Sequence, residues 1–371
     1  MDFSLSDDHR MLRASAQDFL GKEIDLAPLL RPNATVADSG YDENWRKMVE
    51  LGWAGLVIPE AWRGSGLSCL DLTMIVSEMG RALAPAPLFG TLAGTWAILE
   101  AGSEAQRRSI LQRVASEGMR LALAVSDHDG LSDGPGSDAA ATEAPDGFFV
   151  DGSKAFVVDA AGCDLLVVAA SHAGKRGLFL VDPTQAGVTI EVLPWRDPTR
   201  QVCAVTFARA RAELLVADDS AVWPRVRDRL LLVLAAESAA GLQAVTEITV
   251  AYAKERVAFG RPIGAYQAIK HQLADMFSEG ECANVAVLHA AWALSEDSPL
   301  ASQSVAMAKS YACDAYVAAT HRGIQIFGAV GFTWEMTNHL YFKRARANAE
   351  MLGSPAVQRS RLIALLEREA A

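Results

Sequence analysis

One stretch constrains the chain more than any other. Residues 252 to 276 read Y-A-K-E-R-V-A-F-G-R-P-I-G-A-Y-Q-A-I-K-H-Q-L-A-D-M. A helical run ends near Arg256, a turn follows through Phe259, Gly260, Pro262 and Gly264, and a new helix opens near Tyr266. The two glycines permit turn conformations that other residues avoid. Arg256 places a fixed, fork-shaped cation just before that turn, suited to a phosphate or carboxylate. Gln267, Lys270 and His271 fall on the first turn of the next helix, where unpaired N–H groups and the helix dipole favour anions. A second stretch, residues 321 to 346, leaves a helix at Gln325-Ile326-Phe327 and enters a loop punctuated by Gly328 and Gly331. Its small residues let a ligand approach the backbone. Together the two stretches describe a site for a phosphate-bearing cofactor.

The rest of the chain sets the frame. With 371 residues it exceeds one comfortable core, so two or three subdomains are expected. Its net charge of −11 argues against nucleic-acid binding and against an anionic membrane surface. A local basic patch at Lys343-Arg344-Arg346 remains a candidate phosphate site. No apolar run reads as long and uninterrupted enough to span a bilayer, and Met1-Asp2-Phe3-Ser4 has no signal-like character. Five scattered cysteines without a C-x-x-C read as buried thiols of a reduced, cytoplasmic protein.

Residues 1–118 read as helical. Ser6 is a candidate N-cap, and apolar residues recur at helical spacing over 43–51, 70–83, 91–101 and 104–116. Residues 119–221 carry short β-rich runs at Leu121–Val125, Phe148–Val150, Ala155–Val158, Leu165–Ala169, Leu178–Val181, Val188–Val192 and Val202–Phe207, which predict a small barrel or sandwich. Residues 222–371 return to Ala-rich helical periodicity. The fold class is mainly α with a central β domain. His271, His289, His321 and His339 show no metal-ligand spacing, and Phe332 and Trp334 read as packing anchors.

R-x-x-F-G-x-P-I-G-x-x-Q-x-x-K-H-x-L-A-D-M followed by Q-I-x-G-x-x-G-F-T resembles the acyl-CoA dehydrogenase family of flavoproteins. The order helical domain, β domain, C-terminal helical bundle fits that resemblance. It implies FAD as cofactor, an acyl-CoA thioester as substrate, an electron-transfer flavoprotein as acceptor, and a Glu that removes the α-proton. It assigns Arg256, Phe259, Gln267, His271, Gln325, Gly328 and Gly331 to the cofactor, usually across a subunit boundary. Competing readings pair Arg256 with Glu255 or Asp275, bury Phe259 in the core and make Gln325 a helix C-cap.

The chain departs from the family pattern in three places. The expected T-E-P-x-A-G-S-D is replaced by Ser126-Asp127-His128-Asp129, with Gly136-Ser137-Asp138 as a displaced remnant. Where the family carries W-I-T, this chain has Phe156-Val157-Val158, and Val158 has no hydroxyl to offer a flavin. Where the family carries Y-E-G-T, it has Met351-Leu352-Gly353-Ser354, so Leu352 stands at the usual base. Leu230 falls in the alternative slot on the first C-terminal helix, which leaves Glu237, with Asp228 and Glu350 behind it, as the catalytic candidate. A buried, unpaired Glu237 would serve as a base; a paired Glu237 would be structural. Asn338 to Ala345 resembles the smaller subunits of heteromeric members, which share each flavin with a paralogous partner in an α2β2 assembly and act on bulky acyl-CoAs such as steroid side chains. A self-sufficient homotetramer and a flavin-free structural subunit are the alternatives.

Overall fold

The computed structural model describes residues 5–128, 130, 137–145 and 147–370. The start at Met1–Ser4, Asp129 and Gly136 lie outside the described residues.

Five helices form the N-terminal region: α1 (Asp7–Glu23), α2 (Tyr41–Glu50), α3 (Cys69–Ala82), α4 (Leu88–Ala101) and α5 (Glu104–Glu117). Ser6, Ser68 and Ser103 each accept a backbone N–H of the first turn and close a capping box, so α1, α3 and α5 begin where their sequences supply a cap. α4 is apolar on every side and is buried almost throughout.

Seven strands follow: β1 (Leu121–Ala124), β2 (Ala139–Ala144), β3 (Gly147–Val158), β4 (Leu165–His172), β5 (Lys175–Val181), β6 (Val188–Val192) and β7 (Val202–Val216). β4 pairs with β2, β2 with β3, β3 with β7, β7 with β5, and β5 returns to β4. The ring closes, so the region is a barrel, with β1 parallel to β4 and β6 along β7. The short runs predicted at 148–150 and 155–158 are one strand, β3, and β2 carries too weak an alternation to have been predicted. β3 is irregular between Lys154 and Val157, and there Phe156 takes φ 53°. This bulge turns Phe156 out of the ladder and leaves its ring 42% exposed.

The C-terminal region holds α6 (Trp223–Glu255), a hairpin of β8 (Val257–Ala258) and β9 (Arg261–Pro262), then α7 (Gln267–Ser295), α8 (Ala301–Phe327), α9 (Asn338–Glu350) and α10 (Pro355–Ala370). α6 is long and apolar enough to cross a membrane, contrary to the sequence reading. Most of its side chains are instead consumed by the core. Leu230 and Val233 of α6 join Leu88 and Trp96 of α4 and Leu121 and Leu178 of the barrel in one continuous core. α3 crosses α6 so closely that a Cβ on Gly80 would stand 2.5 Å from the Glu237 Cα. Cys163, Cys203 and Cys313 are buried, but Cys69 is only partly covered and Cys282 is exposed, which corrects the uniform expectation.

Candidate active site

A cavity of about 410 Å³ opens where the three regions meet. α4 contributes Phe89, Gly90 and Ala93, and the end of β1 with the segment after it contributes Leu123, Val125, Ser126 and His128. Phe156 and Val158 enter from β3, Trp195 from the β6–β7 connection, Leu230 from α6, and Glu350 to Ser354 from the end of α9. The wall is chiefly apolar and aromatic, the usual character of a pocket for a flat organic ligand. Leu230 and Leu352, the residues at both base positions implied by the resemblance, are on this wall. The carboxylate among its described lining residues is Glu350, at the C-terminal end of α9.

Glu237 is elsewhere. It is buried in a polar cluster behind Phe89 and accepts two bonds from Arg200 Nη2, at 2.8 and 2.6 Å. Asn348 Nδ2 donates to it at 3.1 Å, and Arg344 lies 3.5 Å away. Arg344 also donates to Asp197 at 2.6 Å and to the Thr199 carbonyl at 2.9 Å. Glu237 is therefore paired on all sides, the opposite of the unpaired carboxylate that proton abstraction needs. Asp228 is likewise held, by Arg361 Nη2 and Ser302 Oγ at 2.5 Å each. Arg344 is consumed in the cluster, so Lys343-Arg344-Arg346 is not a three-cation patch. In the same cluster Asp159 accepts from Tyr41 Oη at 2.6 Å and from the Gly90 N–H at 2.9 Å. Burial still pushes its pKa up to about 6, against the opposing pull of Tyr41, Gly90, Arg200 and Arg344. Arg200 stacks on the Phe89 ring at 4.9 Å, and Phe89 separates this cluster from the cavity.

Lys154 is a residue that sequence reasoning passed over. Its side chain is fully buried, and its ammonium donates to Asp127 Oδ1 and Ser137 Oγ at 2.5 Å each and to the Val125 carbonyl at 3.4 Å. Asp138 N donates to Asp127 Oδ1 and His128 N to Asp138 Oδ2. One cation thus ties together both ends of the segment that departs most from the family motif. A lone Lys inside an apolar strand pattern was the available signal.

The cofactor candidates gather at a second place. Tyr252, one turn before Arg256, stacks on Phe327 with centroids 4.0 Å apart, which joins the two motif stretches. Arg256 is exposed and makes no ion pair among the described residues, with neither Glu255 nor Asp275 as partner. Phe259 and Gly260, at φ 53° and 80°, form the tip of the β8–β9 hairpin, where two successive positive φ values match the twist of paired strands. Phe259 is 96% exposed, so it is not core. Gln267 and His271 are exposed on the first turns of α7, whose start has no side-chain cap. Gln325 is exposed near the end of α8, and Gly328 takes φ 69°, ψ −148°, a conformation restricted to glycine. Gly331 is buried in the turn that follows. An unpaired guanidinium, an uncapped helix start and a bare backbone turn fit the pyrophosphate of a dinucleotide. None of these seven residues lines the cavity. Phe332 and Trp334, expected as packing anchors, are 61% and 43% exposed.

Comparison with known proteins bears on the family and the fold. The family model described as acyl-CoA dehydrogenase, N-terminal domain, matches residues 6–118, and that for the C-terminal domain matches 229–366. Acyl-CoA dehydrogenase IpdE2 of Mycolicibacterium smegmatis is 32% identical over 360 residues, covering 96% of this chain and 98% of the relative. A solved steroid ACAD, Tcur3481–Tcur3483, is 28% identical with TM-score 0.87 and covers 99% of both chains. The glutaryl-CoA complex of glutaryl-coenzyme A dehydrogenase is 25% identical with TM-score 0.89, covering 97% of this chain and 95% of the other. With its helical domains, its central barrel and both motif stretches in place, the chain belongs to the acyl-CoA dehydrogenase family of FAD-dependent oxidoreductases.

Proposed function

We propose that this chain is the partner subunit of a heteromeric acyl-CoA dehydrogenase, giving the helical half of a flavin site that a paralogous chain completes. One observation carries the reading: Leu230 and Leu352 occupy the cavity wall at both positions where the family places its base. Neither side chain accepts a proton. The spatial separation of the seven cofactor candidates from this chain's own cavity supports a site built from two chains. The likeness to the steroid ACAD named as a pair supports a bulky acyl-CoA as substrate.

In this account Arg256 and the start of α7 hold the FAD pyrophosphate, Gln325 and Gly328 line its path, and Phe259 reaches across the subunit boundary. Held there, FAD would supply the acceptor for the β-hydrogen of the thioester. The partner supplies the carboxylate that takes the α-proton, and an electron-transfer flavoprotein re-oxidises the complex.

Anaerobic mixing with acyl-CoA thioesters tests this. Flavin absorbance should bleach in the complex co-expressed with a paralogue and not in the chain purified alone. Bleaching by the chain alone would refute the proposal. It would favour instead a homotetramer whose base is Glu350, the carboxylate on the cavity wall.

A further inference from the structure

Behind Phe89, buried carboxylates outnumber the guanidiniums that could neutralise them. Arg200 pairs with Glu237, and Arg344 pairs with Asp197. Asp159 is left over. It is 2% exposed and makes no ion pair among the described residues, so both its oxygens rest on neutral donors. A buried carboxylate in that position gains by taking a proton.

Its place in the chain ties that proton to the cavity. Asp159 follows Val158 of the cavity wall at φ 60°, a left-handed conformation that Asp and Asn tolerate. Oδ1 accepts from Tyr41 Oη, at the start of α2, and Oδ2 accepts from the Gly90 N–H. α4 follows Pro87 without a side-chain cap of its own, so this barrel carboxylate serves as its cap. The contact is tight: a Cβ on Gly90 would stand 2.8 Å from Asp159 Cβ and 2.9 Å from the Val158 carbonyl oxygen. Gly90 and Phe89 also line the cavity, so a single hydrogen bond joins the cavity wall to the left-over carboxylate.

The other groups facing Asp159 come from every element around it. Arg200 of the β6–β7 connection and Arg344 of α9 both favour its charged form, although each is taken by another carboxylate. Glu237 of α6 borders the same void, of about 20 Å³. Burial raises the Tyr41 phenol well above its ordinary value and pushes the Cys203 thiol of β7 up to about 11, so both stay neutral. Asp159, pushed up to about 6 chiefly by burial, changes charge close to neutral pH.

We propose that Asp159 is a positioning residue that couples a proton to occupancy of the cavity: a ligand filling it presses on Phe89 and Gly90, loosens the Gly90 bond, and the carboxylate takes a proton from solvent. Loss of a donor and exclusion of water both favour the neutral carboxyl group. Its new O–H donates to Tyr41 Oη. By linkage, binding is tighter at low pH and weakens as pH rises through the titration of Asp159. The coupling is the same whichever chain supplies the base.

The test uses the complex co-expressed with a paralogue and a 2,2-dimethylacyl-CoA, which has no α-proton to lose. Calorimetric titration near neutral pH, in two buffers of different ionisation enthalpy, counts the protons taken up. Asp159→Asn tolerates the left-handed backbone and mimics the neutral carboxyl group. It should remove the uptake due to this chain and leave any that is due to the partner. Affinity in the unmodified complex should fall about threefold or more across the titration, whereas Asp159→Asn should hold the low-pH value throughout. Tyr41→Phe removes one donor to the carboxylate, so it should move the fall to higher pH, and it carries the test if the Asn variant folds poorly. Equal proton uptake in the unmodified and Asn complexes would overturn the proposal, as would an unshifted profile in Tyr41→Phe. An affinity loss in Asp159→Asn that is the same at every pH would mark a merely structural role and overturn it too.

Discussion

At the scale of single residues, charge pairing separates Arg256 from Glu237. Arg256 has no carboxylate partner among the described residues, and a charge-assisted bond to phosphate contributes about 1.5–3 kcal/mol. Arg256→Ala should therefore weaken FAD retention in the assembled enzyme about ten- to a hundredfold, with circular dichroism unchanged. Arg256→Lys should recover only part, because the planar fork is lost. Flavin content by absorbance after gel filtration measures both. Glu237 is the reverse case, a buried carboxylate whose removal takes away the carboxylate that Arg200 pairs with. Glu237→Gln should cost about 3–5 kcal/mol of stability. It should lower the melting temperature without a selective loss of chemistry in whatever fraction remains folded. Asp159 adds a pH signature. Its folded pKa, about 6, is raised above the ordinary value of 3.8, so the stabilisation it contributes is complete below about pH 4 and is lost as pH rises through 6. A two-unit shift corresponds to about 3 kcal/mol. Melting temperature against pH should be flatter between pH 4 and 6.5 in Asp159→Asn than in the unmodified protein.

At the scale of elements, sequence pattern was legible where an element carries its own signal and illegible where a neighbour decides. The Ser6 cap and helical spacing mark α1, and helical spacing marks α3 and α5. The R-x-x-F-G and Q-I-x-G stretches identify the cofactor candidates, because the hairpin tip and the Gly328 turn depend on local backbone chemistry. Whether Glu237 is paired stayed open in the sequence because Leu234, Ala235, Ala236 and Ala239 announce its burial but not its partners. The cations that pair with it come from a strand connection 37 residues earlier and from α9, 107 residues later. Lys154 and Trp195 were missed for the same reason, since only closure of the barrel brings them to the loop and to the cavity. The α3–α6 crossing was illegible too, although it leaves a test. Gly80→Ala places a methyl group against the backbone of Glu237. It should destabilise the protein by about 1–3 kcal/mol through displacement of α3, read as a lower thermal midpoint.

At the scale of the whole molecule, the proposed reading gives the two halves of a flavin site unequal quality. The helical half offers an unpaired Arg256, an exposed Phe259 and the Gly328 turn. The barrel half offers Val158 without a hydroxyl and Phe156 on a bulge, beside a cavity with leucine at both base positions. On the proposed reading, two copies of this chain would pair a good half with a poor one at every site. A paralogue with an intact barrel would complete only the sites where its barrel meets this chain's helices. The exposed hairpin tip then finds its cover in the assembly. The most direct measurement is the flavin count by native mass spectrometry and absorbance, for the chain alone and co-expressed with a paralogue. The account predicts no bound FAD for the chain alone and a four-chain complex with one FAD per unlike pair. A stable homotetramer with one FAD per chain would contradict it.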